Sequence, residues 1–133
     1  MGTLQLEVVT PDKTVVSAEV EMVVCPGVEG EFGVLPQHVS LLSALKIGDL
    51  RYRLDGKDEN VFISGGFADV NNNVLSVLAE SAELAGDIDA ARAHAAKERA
   101  EKRLAAHDES VDQTRAEAAL QRAVTRLQVA QLR

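Results

Sequence analysis

The sequence has no tryptophan, and its aromatic residues amount to 3% of 133 positions. A core, if there is one, must therefore be assembled from Val, Leu, Ile and Ala. There is one cysteine, Cys25, so no internal disulfide can form, and a reducing compartment is expected. Cys25 follows Val23-Val24 and is expected to be a buried structural thiol rather than a reactive one. No run approaches the roughly 18 consecutive apolar residues that a membrane span needs. The opening Met1-Gly2-Thr3-Leu4-Gln5-Leu6-Glu7 has neither a basic start nor a continuous apolar stretch, so a secretory signal is not expected. Excess positive charge is also missing. The formal net charge is −7, which argues against a nucleic-acid binder.

What is present is unevenly distributed. Residues 1–87 hold 14 acidic and 5 basic side chains (−9), whereas residues 88–133 hold 7 acidic and 9 basic (+2). The chain reads as two modules with different electrostatic partners. In the first, Leu4, Leu6 and Val8 alternate with Gln5 and Glu7. Val20, Met22 and Val24 alternate with Glu19 and Glu21, and Leu50, Tyr52 and Leu54 with Arg51 and Arg53. Asp55-Gly56 signals a hairpin, Val61-Phe62-Ile63 resumes a strand, and Gly65-Gly66 marks a need for backbone freedom or close approach. Asn71-Asn72-Asn73 turns into Val74–Leu78. Short strands between frequent turns predict an antiparallel β-sandwich or flattened barrel over 1–86.

After Gly86 the composition changes. Asp87 is expected to cap a helix over Ile88–Ala106, a stretch of Ala, Arg, Lys and Glu without Gly or Pro. His107-Asp108-Glu109-Ser110 breaks it, and a second helix is expected from Val111 to Leu132. Ala116, Leu120, Ala123, Leu127 and Ala130 form a heptad stripe, matched by Ala93, Ala96, Ala100 and Leu104. An antiparallel helical hairpin over 87–133 follows, with a seam of small residues that should be held weakly.

Arginines recur at matched positions: Arg92, Arg99 and Arg103 in the first helix, Arg115, Arg122 and Arg126 in the second. Folding the hairpin places Arg92 near Arg126, and Arg99 within about a turn of Arg122. Four converging guanidinium groups repel unless an anion lies between them, and their planar forks suit phosphate oxygens. The same periodicity also describes a solvated face paired with Glu98, Glu101 and Glu117, or a surface awaiting an acidic protein; the pattern alone does not discriminate. Elsewhere chemistry is sparse. Gly27, Gly30 and Gly33 precede no helix and read as turns, His94 and His107 have no metal-ligand partners at useful spacing, and no acid/base pair is recognisable. No active site is expected, and no obligatory cofactor or metal.

Several segments jointly resemble a known family: Val9-Thr10-Pro11, Gly30-Glu31-Phe32-Gly33-Val34-Leu35-Pro36-Gln37-His38, Ile63 to Val70, and Leu78-Ala79-Glu80-Ser81-Ala82-Glu83. Over essentially its full length the chain resembles the epsilon subunit of bacterial F-type ATP synthases, departing at Gln37, where the family usually has Gly. The resemblance implies a noncatalytic subunit, peripheral on the cytoplasmic face of the plasma membrane and not inserted in it. Its sandwich would bind the gamma stalk and the c-ring, coupling rotation to proton or sodium flow. Its helices would inhibit ATP hydrolysis when extended towards the alpha and beta subunits. Glu31, His38 and Arg115 are partner-contact candidates. Ile88-Asp89-Ala90-Ala91-Arg92-Ala93 is similar to a motif by which some members bind ATP on the folded hairpin. By that resemblance Glu83, Ile88, Asp89 and Ala93 would line the adenine side, and Arg92, Arg99, Arg122 and Arg126 would hold the phosphates of ATP, a regulatory ligand with or without Mg. The rival expectation is a stalk connector with an inert tail.

Overall fold

In the computed structural model, which describes residues 2–133, eight strands precede two helices. The strands are β1 (Leu4–Val9), β2 (Thr14–Val20), β3 (Met22–Gly27), β4 (Gly30–Val34), β5 (Leu41–Leu54), β6 (Lys57–Asn71), β7 (Val74–Ala79) and β8 (Ala82–Leu84). They run in the order β2-β1-β7-β6-β5-β3-β4, with β8 added to β6. β5 and β6 are 14 and 15 residues long. Different parts of β6 serve different partners: Val61–Ile63 pair with β8 and Gly66–Asn71 with β7. The long strands thus pass from one layer to the other and join them into a sandwich.

Inward residues fill the space between the layers. Leu4, Leu6, Val8, Val20, Val23, Val34, Leu50, Val61, Ile63, Leu75 and Val77 are all buried in one cluster. Cys25 belongs to it, and burial pushes its thiol up to about 12, so it stays protonated and inert at neutral pH. The two tight hairpins follow the turn chemistry: Asp55-Gly56 and Asn72-Asn73 each take positive φ at both central positions, matching the strand twist. Gly66, at φ +140°, lies so close to β7 that a Cβ would overlap the Leu78 carbonyl oxygen. Gly27 and Gly30 pair across the β3–β4 hairpin, the turn role expected of them.

Three features differ from the sequence reading. The sheet is mixed, since β1 runs parallel to β7 while every other pairing is antiparallel. Alternation within a strand does not encode its partner's direction. Val20, Met22 and Val24 do not form one strand; the chain bends at Glu21, and the buried set shifts to Val23 and Cys25. The first helix starts later than expected: Ala85–Asp87 is a single 3-10 turn, and α1 spans Ala90–Ala106 with Asp89, not Asp87, as its cap. Ile88 explains the delay, because its side chain is buried with the backbone extended. The second helix, α2, spans Gln113–Ala130 with Asp112 as its cap, and His107 ends α1 in the left-handed conformation.

The helices pair antiparallel through buried Ala93, Ala100, Ala116 and Ala123. The hairpin docks on the outer face of the sheet through a separate small cluster: Phe62, Ala85, Ile88, Val129 and Ala130, with Ile47 packed against it. Val61-Phe62-Ile63 is continuously apolar because Phe62 faces the helices while its neighbours face the sandwich core.

Candidate functional site

The arginines take their positions from the alanine seam. Arg92 and Arg99 each precede a buried alanine by one residue, as do Arg115 and Arg122. One residue is about 100° of helix rotation, and reversing the second helix mirrors its sense, so these four lie on one side of the hairpin. Arg126, three residues beyond Ala123, falls on the same side nearer the seam. Arg92 and Arg99 are exposed, and Arg122 and Arg126 are half-buried. The proposed adenine side begins at the α1 cap, where an Asp89 side-chain oxygen accepts the Arg92 backbone N–H at 3.0 Å. Ile88 and Ala93 are buried there, in the docking cluster and the seam respectively.

Arg126 departs from the picture of uncompensated charges. Its Nε donates to Glu83 Oε1 at 2.6 Å, and its guanidinium lies 4.3 Å from the centroid of Phe62. One contact ties α2 to β8 and the other stacks the cation on the docking cluster. The other arginines of the two helices have no such counterion among the described residues. Among the described residues, Arg92, Arg99, Arg103, Arg115 and Arg122 have no carboxylate within 4.0 Å, and Glu98 pairs with His94 at 3.4 Å. Arg92, Arg99, Arg103 and Arg115 are thus exposed to solvent without the pairing to Glu98, Glu101 or Glu117 that a laced face would have. Sequence reasoning did not find the Phe62 platform; its trace was a central residue apolar on a face that a one-layer strand would leave polar.

Of the partner-contact candidates, Glu31 is exposed on β4 beside α2, in a cleft of about 350 Å³ that also involves Lys46, Asp49, Thr125 and Gln128. Both Asp49 carboxylate oxygens accept from Asn60 Nδ2, at 2.8 and 2.9 Å, yet burial pushes the Asp49 pKa above the ordinary value. His38 is half-buried after the turn that carries Gln37 at φ 63°, with Nδ1 2.7 Å from the Val39 carbonyl. Arg115 is exposed on α2. Among the described residues these three lie apart, Glu31 on β4, His38 just past the turn after it and Arg115 on α2.

A second surface was not foreseen. Ala44 is paired with Phe67, and Phe67 with Leu78, while Leu42 lies two residues from Ala44 on the same face. Leu42, Phe67 and Leu78 are 71%, 56% and 57% exposed, forming an apolar stripe across three strands. A cleft of about 690 Å³ adjoins it, lined also by Val9, Thr10 and Pro11. The clue lay in the doublets Leu41-Leu42, Phe67-Ala68 and Val77-Leu78, each of which gives both faces of its strand an apolar residue. Among the described residues no group of His, Cys, Asp and Glu is arranged to hold a metal, and no helix is long and apolar enough to cross a membrane.

A β-sandwich bearing an antiparallel cationic helix pair matches two family models, the beta-sandwich domain of the ATP synthase delta/epsilon chain over residues 3–85 and its long alpha-helix domain over 87–131. The chain belongs to this family of ATP synthase subunits, whose members are stalk components and not the catalytic ones. Within it, the similar curated relatives are epsilon chains. That of Nitratidesulfovibrio vulgaris strain DP4 is 60% identical over 127 residues, covering 96% of this chain and 95% of the relative. That of Syntrophobacter fumaroxidans is 55% identical over 128 residues, covering 96% of each. Among solved structures, a chain of the Euglena gracilis mitochondrial ATP synthase (OSCP/F1/c-ring, rotational state 1) superposes with a TM-score of 0.82 at 28% identity, covering 100% of this chain and 83% of that one. A chain from the central stalk and c-ring of Tetrahymena thermophila mitochondrial ATP synthase shares the fold, with a TM-score of 0.61 at 12% identity and 95% of each chain covered.

Proposed function

We propose that this chain couples and regulates the rotary synthase from its central stalk. The sandwich holds the gamma subunit and the c-ring, linking rotation of the head to ion flow, and the helical hairpin restrains ATP hydrolysis when it leaves the sandwich for the alpha and beta subunits. The subunit is peripheral on the cytoplasmic side of the plasma membrane. The apolar stripe of Leu42, Phe67 and Leu78 is the surface best suited to the gamma contact, since water exposure of three large side chains is relieved by a permanent partner.

Regulation rests on ATP, with or without Mg, bound by the docked hairpin. Arg92, Arg99, Arg122 and Arg126 take the phosphates, and Glu83, Ile88, Asp89 and Ala93 lie on the base side. The observation that carries this reading is the cationic face of the hairpin, where, among the described residues, only Arg126 has an internal counterion. A ligand specific for the docked form biases it by RT ln(1 + [L]/Kd), about 2.7 kcal/mol at a hundredfold excess. Among the described residues the docking cluster has few large side chains, Phe62, Ile88 and Val129 with Ile47 packed beside them, so a bias of that size redistributes the two states. ATP favours the docked form and its loss releases the inhibitor.

Calorimetric titration of the full chain with ATP tests the assignment. Arg92→Ala and Arg126→Ala should each weaken binding about tenfold or more, the loss of a charge-assisted phosphate contact. Arg133→Ala, beyond the end of α2, should bind as the parent does. Equal affinities across the three variants would remove the site and leave a stalk connector with an inert tail.

A further inference from the structure

At its turn end the hairpin gathers a second set of cations. Arg103 from the last turn of α1, Arg115 from the first turn of α2 and Arg122 two turns on line one open cleft of about 450 Å³. None of the three has a carboxylate within 4.0 Å among the described residues. Asp112 also lines the cleft, but one of its oxygens is engaged by the Arg115 backbone N–H at 3.1 Å. The start of α2 is thereby capped from within, and the cleft's three guanidinium groups outweigh the single Asp112 carboxylate by two positive charges. Arg115 is placed against the helix dipole, since a cation in a first turn is disfavoured where an anion is welcome. Helix stability does not account for it there.

The shape and chemistry of the cleft select the ligand. Three guanidinium groups facing one space repel each other, and a guest carrying two or more negative charges with several acceptor oxygens relieves all three at once. The apolar lining is confined to Val111, Ala116 and Ala119, so there is no aromatic surface on which a base could stack. We propose that the turn end of the hairpin is an oxyanion site, adjoining the nucleotide face and sharing Arg122 with it, that takes a small multivalent ion of the orthophosphate class. Its occupancy does not depend on the nucleotide reading. One consequence does rest on that reading: Arg122 belongs to both sets, so phosphate at the turn end competes with the phosphates of ATP for one guanidinium.

The test is titration of the full chain with inorganic phosphate, following the arginine Nε–Hε resonances by NMR at ionic strength held constant with sodium chloride. Phosphate should shift the resonances of Arg103, Arg115 and Arg122. The double variant Arg103→Gln/Arg115→Gln should lose at least tenfold in phosphate affinity while its ATP affinity stays within twofold of the parent. Both positions are exposed, and an unchanged circular dichroism melt would show that the fold is intact. Arg92→Ala should show the reverse pattern. Undiminished phosphate affinity in the double variant would overturn the site, as would equal shifts from chloride alone. Binding of a glutamate-rich peptide without binding of phosphate would likewise overturn it in favour of a protein contact. Failure of ATP to bind the parent chain would sink the nucleotide face while leaving the phosphate result to stand by itself.

Discussion

Arg126 shows how one side chain can hold a docked conformation from two sides at once. With Glu83 accepting its Nε–H and Phe62 beneath it, the guanidinium is satisfied while the hairpin is docked. Both partners of the ion pair remain about a third exposed or slightly less, so screening limits its worth. The stacked cation adds about 0.5–1 kcal/mol. Arg126→Ala should therefore destabilise the docked hairpin by about 1–2 kcal/mol. Glu83→Gln should cost less, and a double-mutant cycle should give a coupling of about 0.5–1 kcal/mol. Hydrogen exchange of the α2 amides reads this directly. Additive effects with no coupling would mean that the pair does not clasp the two modules. For nucleotide binding, the pairing implies that ATP phosphates must displace Glu83 or share the guanidinium with it.

Among the elements, the β6–β7 approach is the least forgiving. Gly66→Ala puts a methyl group into the Leu78 carbonyl at a φ of +140°, and should cost about 3 kcal/mol or more from overlap and left-handed strain together. Gly30→Ala, at φ +131° but with no atom within 4 Å, should cost visibly less in the same denaturation experiment. Equal losses would show that strain alone matters. Gly65-Gly66 was legible as a place of close approach, and so were the turns at Asp55-Gly56 and Asn71–Asn73, the second narrowed to Asn72-Asn73 by the structure, because those requirements are local. The alternation of Leu4, Leu6 and Val8 likewise announced β1. The bend at Glu21 was hidden because a one-residue slip leaves a pattern that still looks alternating. The start of α1 at Ala90 was hidden because Ile88 obeys a tertiary demand, burial against Phe62, that no helix propensity expresses.

For the molecule as a whole, two cores of unequal size decide what survives alone. The sandwich core draws only on strand residues, from Leu4 to Ala82 with Leu84 packed beside it, and none of it comes from the helices. A chain ending at Gly86 should keep slow amide exchange in β5, β6 and β7 and lose ATP binding, while exposing Phe62 and Ile47. Collapse of that protection would show the helices to be integral to the sandwich. In the assembled synthase the same truncation should raise ATP hydrolysis; an unchanged rate favours the inert connector. The sandwich-plus-hairpin architecture could be read from periodicity and composition, and so could the shared face of the arginines. The Glu83–Arg126 bond could not, because 43 residues separate the partners and only the docked hairpin brings them together.

The parallel pairing of β1 with β7 has a temporal consequence. Gln5–Val9 cannot find their place beside Val74–Leu78 until most of the sandwich has been synthesised, and such distant pairings are slow to close. The two helices emerge after that, and the Phe62 platform on which they dock exists only once β6 is laid down. During biosynthesis, then, the helical arm settles after the strands, and its arrival seals a patch of sheet that the newborn sandwich would otherwise offer to its neighbours.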